Sequence, residues 1–354
     1  MKTWIGLIIS DETLKNAVQT LLKVTNELQV VGIYSDAREA AADLKKKGDV
    51  QIIVGLRGDQ RSIADLKALQ LSGPYPVLGV GGLAETTPVL FDAFRLGMVD
   101  FIPFSPEDIG SPTDSLLRRV NESIRMLSLV DITRIARARI KPVGEGEKTL
   151  YNEQAGYYAA LGVPYGGING AIKLLSQLPR RRDTAILISL PLPRTCFGPF
   201  IAAMSPFTQW PVKAAVEDER VYGGTCYFFS SFDPYSVEGS LAGECRVVVS
   251  HENVGPIDSI MEGLAGSFGG AVLGVLMEGV GTDGIYGLST IRSRGGTTLT
   301  IKSGGGILTE ASSGASERKV GDFLVDIDDL PKTLATFMGE MEDITNINRL
   351  LANQ

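Results

Sequence analysis

Residues 161–170 read LGVPYGGING, a glycine-rich turn between an extended stretch, YYAA, and an apolar helix start, AIKLL. A strand, a tight turn and a helix N-terminus bring backbone N–H groups together, and that arrangement welcomes negative charge. Hydrolases place a serine or cysteine at the tip of such a turn. Here the tip is Pro164, which has no hydroxyl, no thiol and no N–H. A second turn, Gly281-Thr282-Asp283-Gly284, sets a carboxylate between glycines ahead of another helical pattern. The chain has a single histidine, His251, so any acid–base scheme using imidazole passes through it. A metal site of two or three histidines is impossible within one chain. Three cysteines, Cys196, Cys226 and Cys245, are too few and too scattered for a disulfide frame or a zinc knuckle. The setting is catalytic in layout, with the nucleophile missing.

The elements that must position these residues alternate. WIGLII, LQVVGIYS, VQIIVGL, YPVLGVG and VDFIPF read as buried strands, separated by the helical patterns ETLKNAVQTLLKVT, REAAADLKKK, RSIADLKALQ and TPVLFDAFRLG. Five strands separated by helices predict an α/β domain of flavodoxin-like size, with a doubly wound parallel sheet. A helical pattern follows over DSLLRRVNESIRMLSLVDITRIARARI and runs into KPVGEGEK, the best linker candidate. The expected division is 1–125 for the first domain, 126–150 for a helical linker and 151–354 for a second α/β domain with a mostly parallel sheet. There TAILISL, TCYFF, CRVVVS, AVLGVLM, TTLTIK and DFLVDI read as strands. AIKLLSQL, IDSIMEGLAGSF, GIYGLSTIRSR and LPKTLATFMGEMEDI read as helices.

Composition bounds the function. The 354 residues are 44% hydrophobic and 21% charged, the balance of a globular protein with room for two cores. A net charge of −7 argues against nucleic acid or an anionic membrane as partner. The run Arg180-Arg181-Arg182 reads as a solvated loop. No stretch approaches the roughly 20 apolar residues that span a bilayer. No signal-peptide pattern opens the chain, so membrane insertion is not expected and the cytoplasm is the expected location.

Taken in order, the segments resemble the chemotaxis response regulators that carry a protein-glutamate methylesterase domain, the CheB family. LMEGVGTDGIYGLSTIRSRGG (276–296) is similar to that family's T-G-M-G-x-D-G-x-x-G-L. VKAAVEDERVYGG (212–224) resembles its V-x-E-A-x-D-G-E-x-V-x-P-G, and GPIDSIMEGLA its R-P-S-V-D-x-L-F. PVLGVGGLAETTPVLFDAFRLGMVDFI (76–102) follows the pattern of its receiver half. The resemblance implies a receiver domain joined to an esterase domain. In that esterase, a serine attacks the methyl ester of a chemoreceptor glutamate, a histidine carries the proton and an aspartate orients the histidine.

Carried over position by position, the resemblance puts Pro164 where the nucleophile belongs, Pro191 where the base belongs and Asp283 at the aspartate, the one triad position retained. Val280 stands where the family has a methionine near the oxyanion. Glycines 162, 166, 167, 279, 281 and 284 would line the old pocket. In the receiver half, the acidic pair falls on Ser10-Asp11 or Asp11-Glu12, leaving Asp11 as a residual metal position. The phosphoacceptor falls on Val54 or Gly55, the Ser/Thr on Gly81 or Gly82, and the lysine on Phe104. No cofactor is expected, and no Mg²⁺ at the receiver.

Plainer readings stand beside these. Helix capping accounts for Asp283 without catalysis. Gly166 and Gly167 serve tight strand–helix packing as readily as an anion. His251 reads as a polar surface residue, and Tyr165 narrows the old mouth. The expected function is a catalytically inactive regulator of a chemosensory or two-component system. It would bind a histidine-kinase docking domain or chemoreceptor helices, through the face around Phe91–Phe104. The alternative is a hydrolase with a relocated nucleophile, Cys196 or a nearby serine.

Overall fold

The computed structural model describes residues 3–24, 28–105, 107–108, 113–135, 138–143, 148–240, 242–251, 254–302 and 306–339. The chain divides into two compact units, Met1–Arg139 and Ile140–Gln354.

In the first unit the five apolar runs form strands β1 (Thr3–Ile8), β2 (Leu28–Tyr34), β3 (Gln51–Gly55), β4 (Val77–Gly82) and β5 (Met98–Phe104). They pair in parallel in the order β2-β1-β3-β4-β5, the doubly wound order expected. Helices Glu12–Val24, Ala37–Leu44 and Gln60–Ser72 make the first crossovers, each started by an aspartate, Asp11, Asp36 and Asp59. Asp36 accepts from the N–H groups of Arg38 and Glu39, and Asp59 from those of Arg61 and Ser62.

Two expectations fail in this unit for local reasons. TPVLFDAFRLG is not one helix: helix Leu83–Thr86 gives way to a 3₁₀ turn, Thr87–Val89, before helix Leu90–Arg95. Pro88 lies in that turn, where its ring and missing N–H interrupt the ladder. The pattern drawn through to residue 140 stops at Ser128, and among the described residues of 129–150 only the 3₁₀ turn Ile132–Arg134 is helical. Asp131 accepts from the N–H and hydroxyl of Thr133, a local turn that competes with continued helix. Within the stretch Phe91–Phe104, Phe91, Phe94, Phe101 and Phe104 are all core residues.

The second unit carries an all-parallel sheet of seven strands in the order β15-β14-β13-β6-β7-β10-β8. Its strands are β6 (Tyr157–Gly162), β7 (Thr184–Leu190), β8 (Val212–Ala214), β10 (Cys226–Ser230), β13 (Val272–Leu276), β14 (Thr297–Ile301) and β15 (Phe323–Val325). β7, β10 and β13 are buried along their whole length, as strands covered on both faces must be. Flanking helices are Ile168–Gln177, Phe197–Met204, Pro256–Phe268, Ile285–Ser293 and Glu310–Glu317, with residues 330–339 also helical.

CRVVVS is a strand, β12 (Cys245–Val249), but it leaves the main sheet. It pairs antiparallel with β11 (Tyr235–Gly239) and β9 (Arg220–Val221) in a separate three-stranded sheet. The basic run is a loop with Arg182 exposed, and its guanidiniums are engaged with the chain. Arg180 donates to Gly224 O (2.9 Å) and Thr149 O (2.6 Å), and the guanidiniums of Arg180 and Arg182 each lie 4.3 Å from the centre of the Tyr151 ring. The run clamps the entering segment onto the unit.

β6 leads to β7 on one side, while β13 is added on the other. The order therefore reverses between β6 and β13, and in such sheets the crevice beyond the strand ends at this point is where ligands bind. Among the described residues no helix is long and apolar enough to cross a membrane.

Candidate functional site

The turn after β6 and the turn after β13 meet at that crevice. Gly162 closes β6 and accepts from Met277 N–H (2.9 Å), while Val163 N–H reaches Ser189 O at the end of β7 (3.1 Å). The turn tightens through Gly167 N–H to Pro164 O (3.0 Å), with Gly166 at φ +87°. Tyr165 then pairs with Val280, whose N–H donates to Tyr165 O (3.0 Å).

The two loops pack so closely that side chains would not fit. A Cβ on Gly279 would stand 2.6 Å from Pro164 Cβ, and one on Gly167 would stand 2.4 Å from Glu278 O. Here the glycines serve loop-on-loop packing, not an open anion cradle. Gly281 has open space around it but takes φ +119°, so its backbone conformation is the requirement. Gly162 and Gly284 share neighbours: a Cβ on either would meet Ile257 and Leu276.

A carboxylate unforeseen from sequence sits beside this turn. Glu278 is 4% exposed, and its Oε2 accepts from Ile307 N–H (2.7 Å). Its Oε1 lies against the first turn of helix Ile168–Gln177, 2.8 Å from where a Gly170 Cβ would be. The helix start, where a bound anion would be favoured, already has a carboxylate of the chain beside it. Its one trace in the sequence is a charge closing an apolar strand, VLGVLME.

Asp283 is held by backbone. Its Oδ2 accepts from Ile257 N–H and its Oδ1 from Asp258 N–H, both at 3.0 Å, so it caps helix Pro256–Phe268. Asp258 returns the contact: its Oδ1 accepts from Gly284 N–H (2.9 Å) and Gly287 N–H (2.6 Å) at the start of helix Ile285–Ser293. Each aspartate caps the other's helix. Burial pushes Asp258 up to about 6, with the neighbouring Asp283 charge adding to it, and burial also raises Asp283. The expected capping role therefore has a definite form, directed at a neighbouring helix.

Residues 159–334 match the CheB methylesterase family. The matched segment belongs to that family. The chain is 23% identical to a protein-glutamate methylesterase/protein-glutamine glutaminase of Lawsonia intracellularis, over 93% of this chain and 98% of the relative. It is also 23% identical to a protein of the same name from Pyrococcus abyssi, over 97% and 96%. Among solved structures it is similar to the CheB methylesterase catalytic domain of Thermotoga maritima (TM-score 0.48, 16% identity, 52% of this chain and 99% of that one). The response regulator domain of Thermotoga maritima CheB gives TM-score 0.33 and 22% identity over 37% of this chain and 99% of that one.

Within this CheB methylesterase segment Pro164 and Pro191 are both buried at the ends of neighbouring strands. Pro191 occupies a tight turn closed by Leu192 N–H to Leu190 O (2.8 Å). Beside it Ser189 and Ser231 share a hydrogen bond between hydroxyls (3.1 Å). Cys196 is 0% exposed. Cys226 and Cys245 are buried as well, and burial raises both thiols. His251 is exposed and lines a groove whose walls do not include Cys196.

In the receiver-like unit Asp11 caps a helix, its Oδ1 accepting from Leu14 N–H (2.7 Å). Gly55 ends β3, and two residues on Arg57 reaches back to Ser10 Oγ (2.7 Å). A guanidinium thus stands beyond the carboxyl ends of β1 and β3, next to the Ser10-Asp11 pair. Among the described residues no group of three or more His, Cys, Asp or Glu side chains could hold a metal ion.

Proposed function

We propose that this chain is a non-catalytic regulator of a chemosensory signalling system. In this reading it acts by holding a partner, a histidine-kinase docking domain or chemoreceptor helices. The observation that carries the proposal is the pair of buried prolines, Pro164 and Pro191, at the expected nucleophile and base positions. Neither ring can be activated by a neighbour, and losing either member of such a triad costs several kcal/mol of barrier. The geometry supports the same reading. Asp283 has both carboxylate oxygens on backbone N–H groups of helix Pro256–Phe268, and Glu278 lies where an oxyanion-type charge would compete with it.

The relatives' name assigns them methylesterase and glutaminase activity, so the opposing reading is an active hydrolase with a moved nucleophile. The complete burial of Cys196 speaks against that residue attacking a protein substrate. In the receiver-like unit a cap at Asp11 and a guanidinium near Ser10 support a switch that does not respond to phosphorylation.

The test is methanol release from a methylated chemoreceptor. Purified wild-type chain is expected to release none above background, with the single retained aspartate contributing nothing. Release by the wild type at a rate that scales with protein concentration would refute the proposal. Acetyl phosphate with Mg²⁺ is likewise expected to leave amide hydrogen exchange throughout Met1–Arg139 unchanged.

A further inference from the structure

A groove of about 420 Å³ opens between the hairpin β11–β12 and helix Pro256–Phe268. That volume is within the range of small-molecule sites. Its walls are preformed. Ser236 Oγ donates to Ser259 O (2.7 Å), tying strand to helix. Gly263 lets the two backbones approach, since a Cβ there would stand 2.3 Å from Val237 O.

The lining has a definite chemistry. The carboxylates of Glu238 and Glu262, the hydroxyls of Ser236, Ser250 and Ser259, and the imidazole of His251 face the groove. Val248 and Val249, both half-buried, supply apolar surface, while Val237 packs into the core. No lysine or arginine is among the described lining residues. The cross-strand partner of Glu238 is Arg246, whose guanidinium donates to Asp218 O (2.6 Å). Acceptors with net negative charge beside apolar surface suit a ligand with donors, positive charge and methylenes.

We propose that this groove binds a small aliphatic amine, its ammonium held by the carboxylates and hydroxyls and its methylenes on Val248 and Val249. The site is built by β11, β12 and helix Pro256–Phe268, apart from the two prolines, so it stands whether or not the chain cleaves esters. The chain's one histidine, with no role at the triad positions, is then part of the binding surface.

The test is isothermal titration calorimetry of the full chain with putrescine, and with 1,4-butanediol as its uncharged isostere. Putrescine is expected to bind saturably and butanediol not to bind. Glu238→Lys, at an exposed strand position, is expected to weaken putrescine binding at least about tenfold while circular dichroism stays unchanged. Raising the salt concentration should weaken binding as well. Should Glu238→Lys fail to fold, Glu238→Gln serves the same purpose, with a smaller loss expected. The proposal is overturned by equal binding of diamine and diol, by no saturable heat up to about 10 mM putrescine, or by a folded Glu238 variant that binds as the wild type does.

Discussion

Replacing Asp100 by alanine is expected to remove about 3–5 kcal/mol from the stability of the unit Met1–Arg139. Asp100 lies in β5 at 1% exposure, and its Oδ2 accepts from Arg119 (2.5 Å) and from Ser123 Oγ (2.8 Å). Both partners belong to helix Asp114–Ser128, so one carboxylate ties the last helix of the unit to the sheet. Removing it takes a buried carboxylate acceptor away from a guanidinium that is one-fifth exposed and from a buried hydroxyl. The penalty is that of breaking a buried, charge-assisted pair from one side, which exceeds the net worth of the pair. Hydrogen exchange of the β4 and β5 amides reads it directly, since these core strands open near the global unfolding free energy. A second variant separates charge from packing. Asp100→Leu combined with Arg119→Met should recover most of the loss, because a matched apolar pair removes both desolvation costs. An Asp100→Ala loss below about 1 kcal/mol would mean the pair is hydrated and unimportant.

The sequence is legible where burial is periodic and local. Each strand of the first sheet is a short apolar run bounded by turn residues, so its order of appearance and parallel pairing follow from alternation alone. The strand–turn–helix around Pro164 is legible for the same reason. The misses are of a different kind. β11 reads YSVEG, with only Val237 buried, and becomes a strand because β12 pairs with it. Helix Asp114–Ser128 was drawn too long because Asp131 looked like one more polar residue, although its side chain closes a turn. At the site, Glu278 and the Asp258–Asp283 exchange depend on contacts 25 to 29 residues apart. No window on the sequence holds both partners. Conformational demands such as the left-handed Gly281 and Gly284 are visible as glycines, but only the packed loops show which need space and which need φ.

The reciprocal caps give the second unit an expected pH dependence opposite to ordinary acid weakening. Asp258 is raised to about 6 by burial in the native state, with Asp283 beside it raised in the same direction. The groups facing this carboxylate are the Asp283 carboxylate and the N–H groups of Gly284, Tyr286 and Gly287. Between the unfolded carboxylate range near 4 and the native value near 6, the native state binds more protons than the unfolded state. Stability therefore falls as pH rises through that window, and the contribution is fully present only below it. Asp258 remains partly in contact with solvent, so the swing is discounted from the full shift to about 1–2 kcal/mol. Thermal unfolding should show the melting of Ile140–Gln354 rising between pH 7 and pH 5. Asp258→Asn keeps an acceptor for Gly284 and Gly287 without the charge, and should flatten the profile and raise stability at pH 7. Asp258→Ala removes both hydrogen bonds that cap helix Ile285–Ser293 and should lower stability at every pH, by about 1 kcal/mol or more. A wild-type profile that falls steadily from pH 7 to pH 5, unchanged in Asp258→Asn, would show that this carboxylate titrates as an ordinary surface acid.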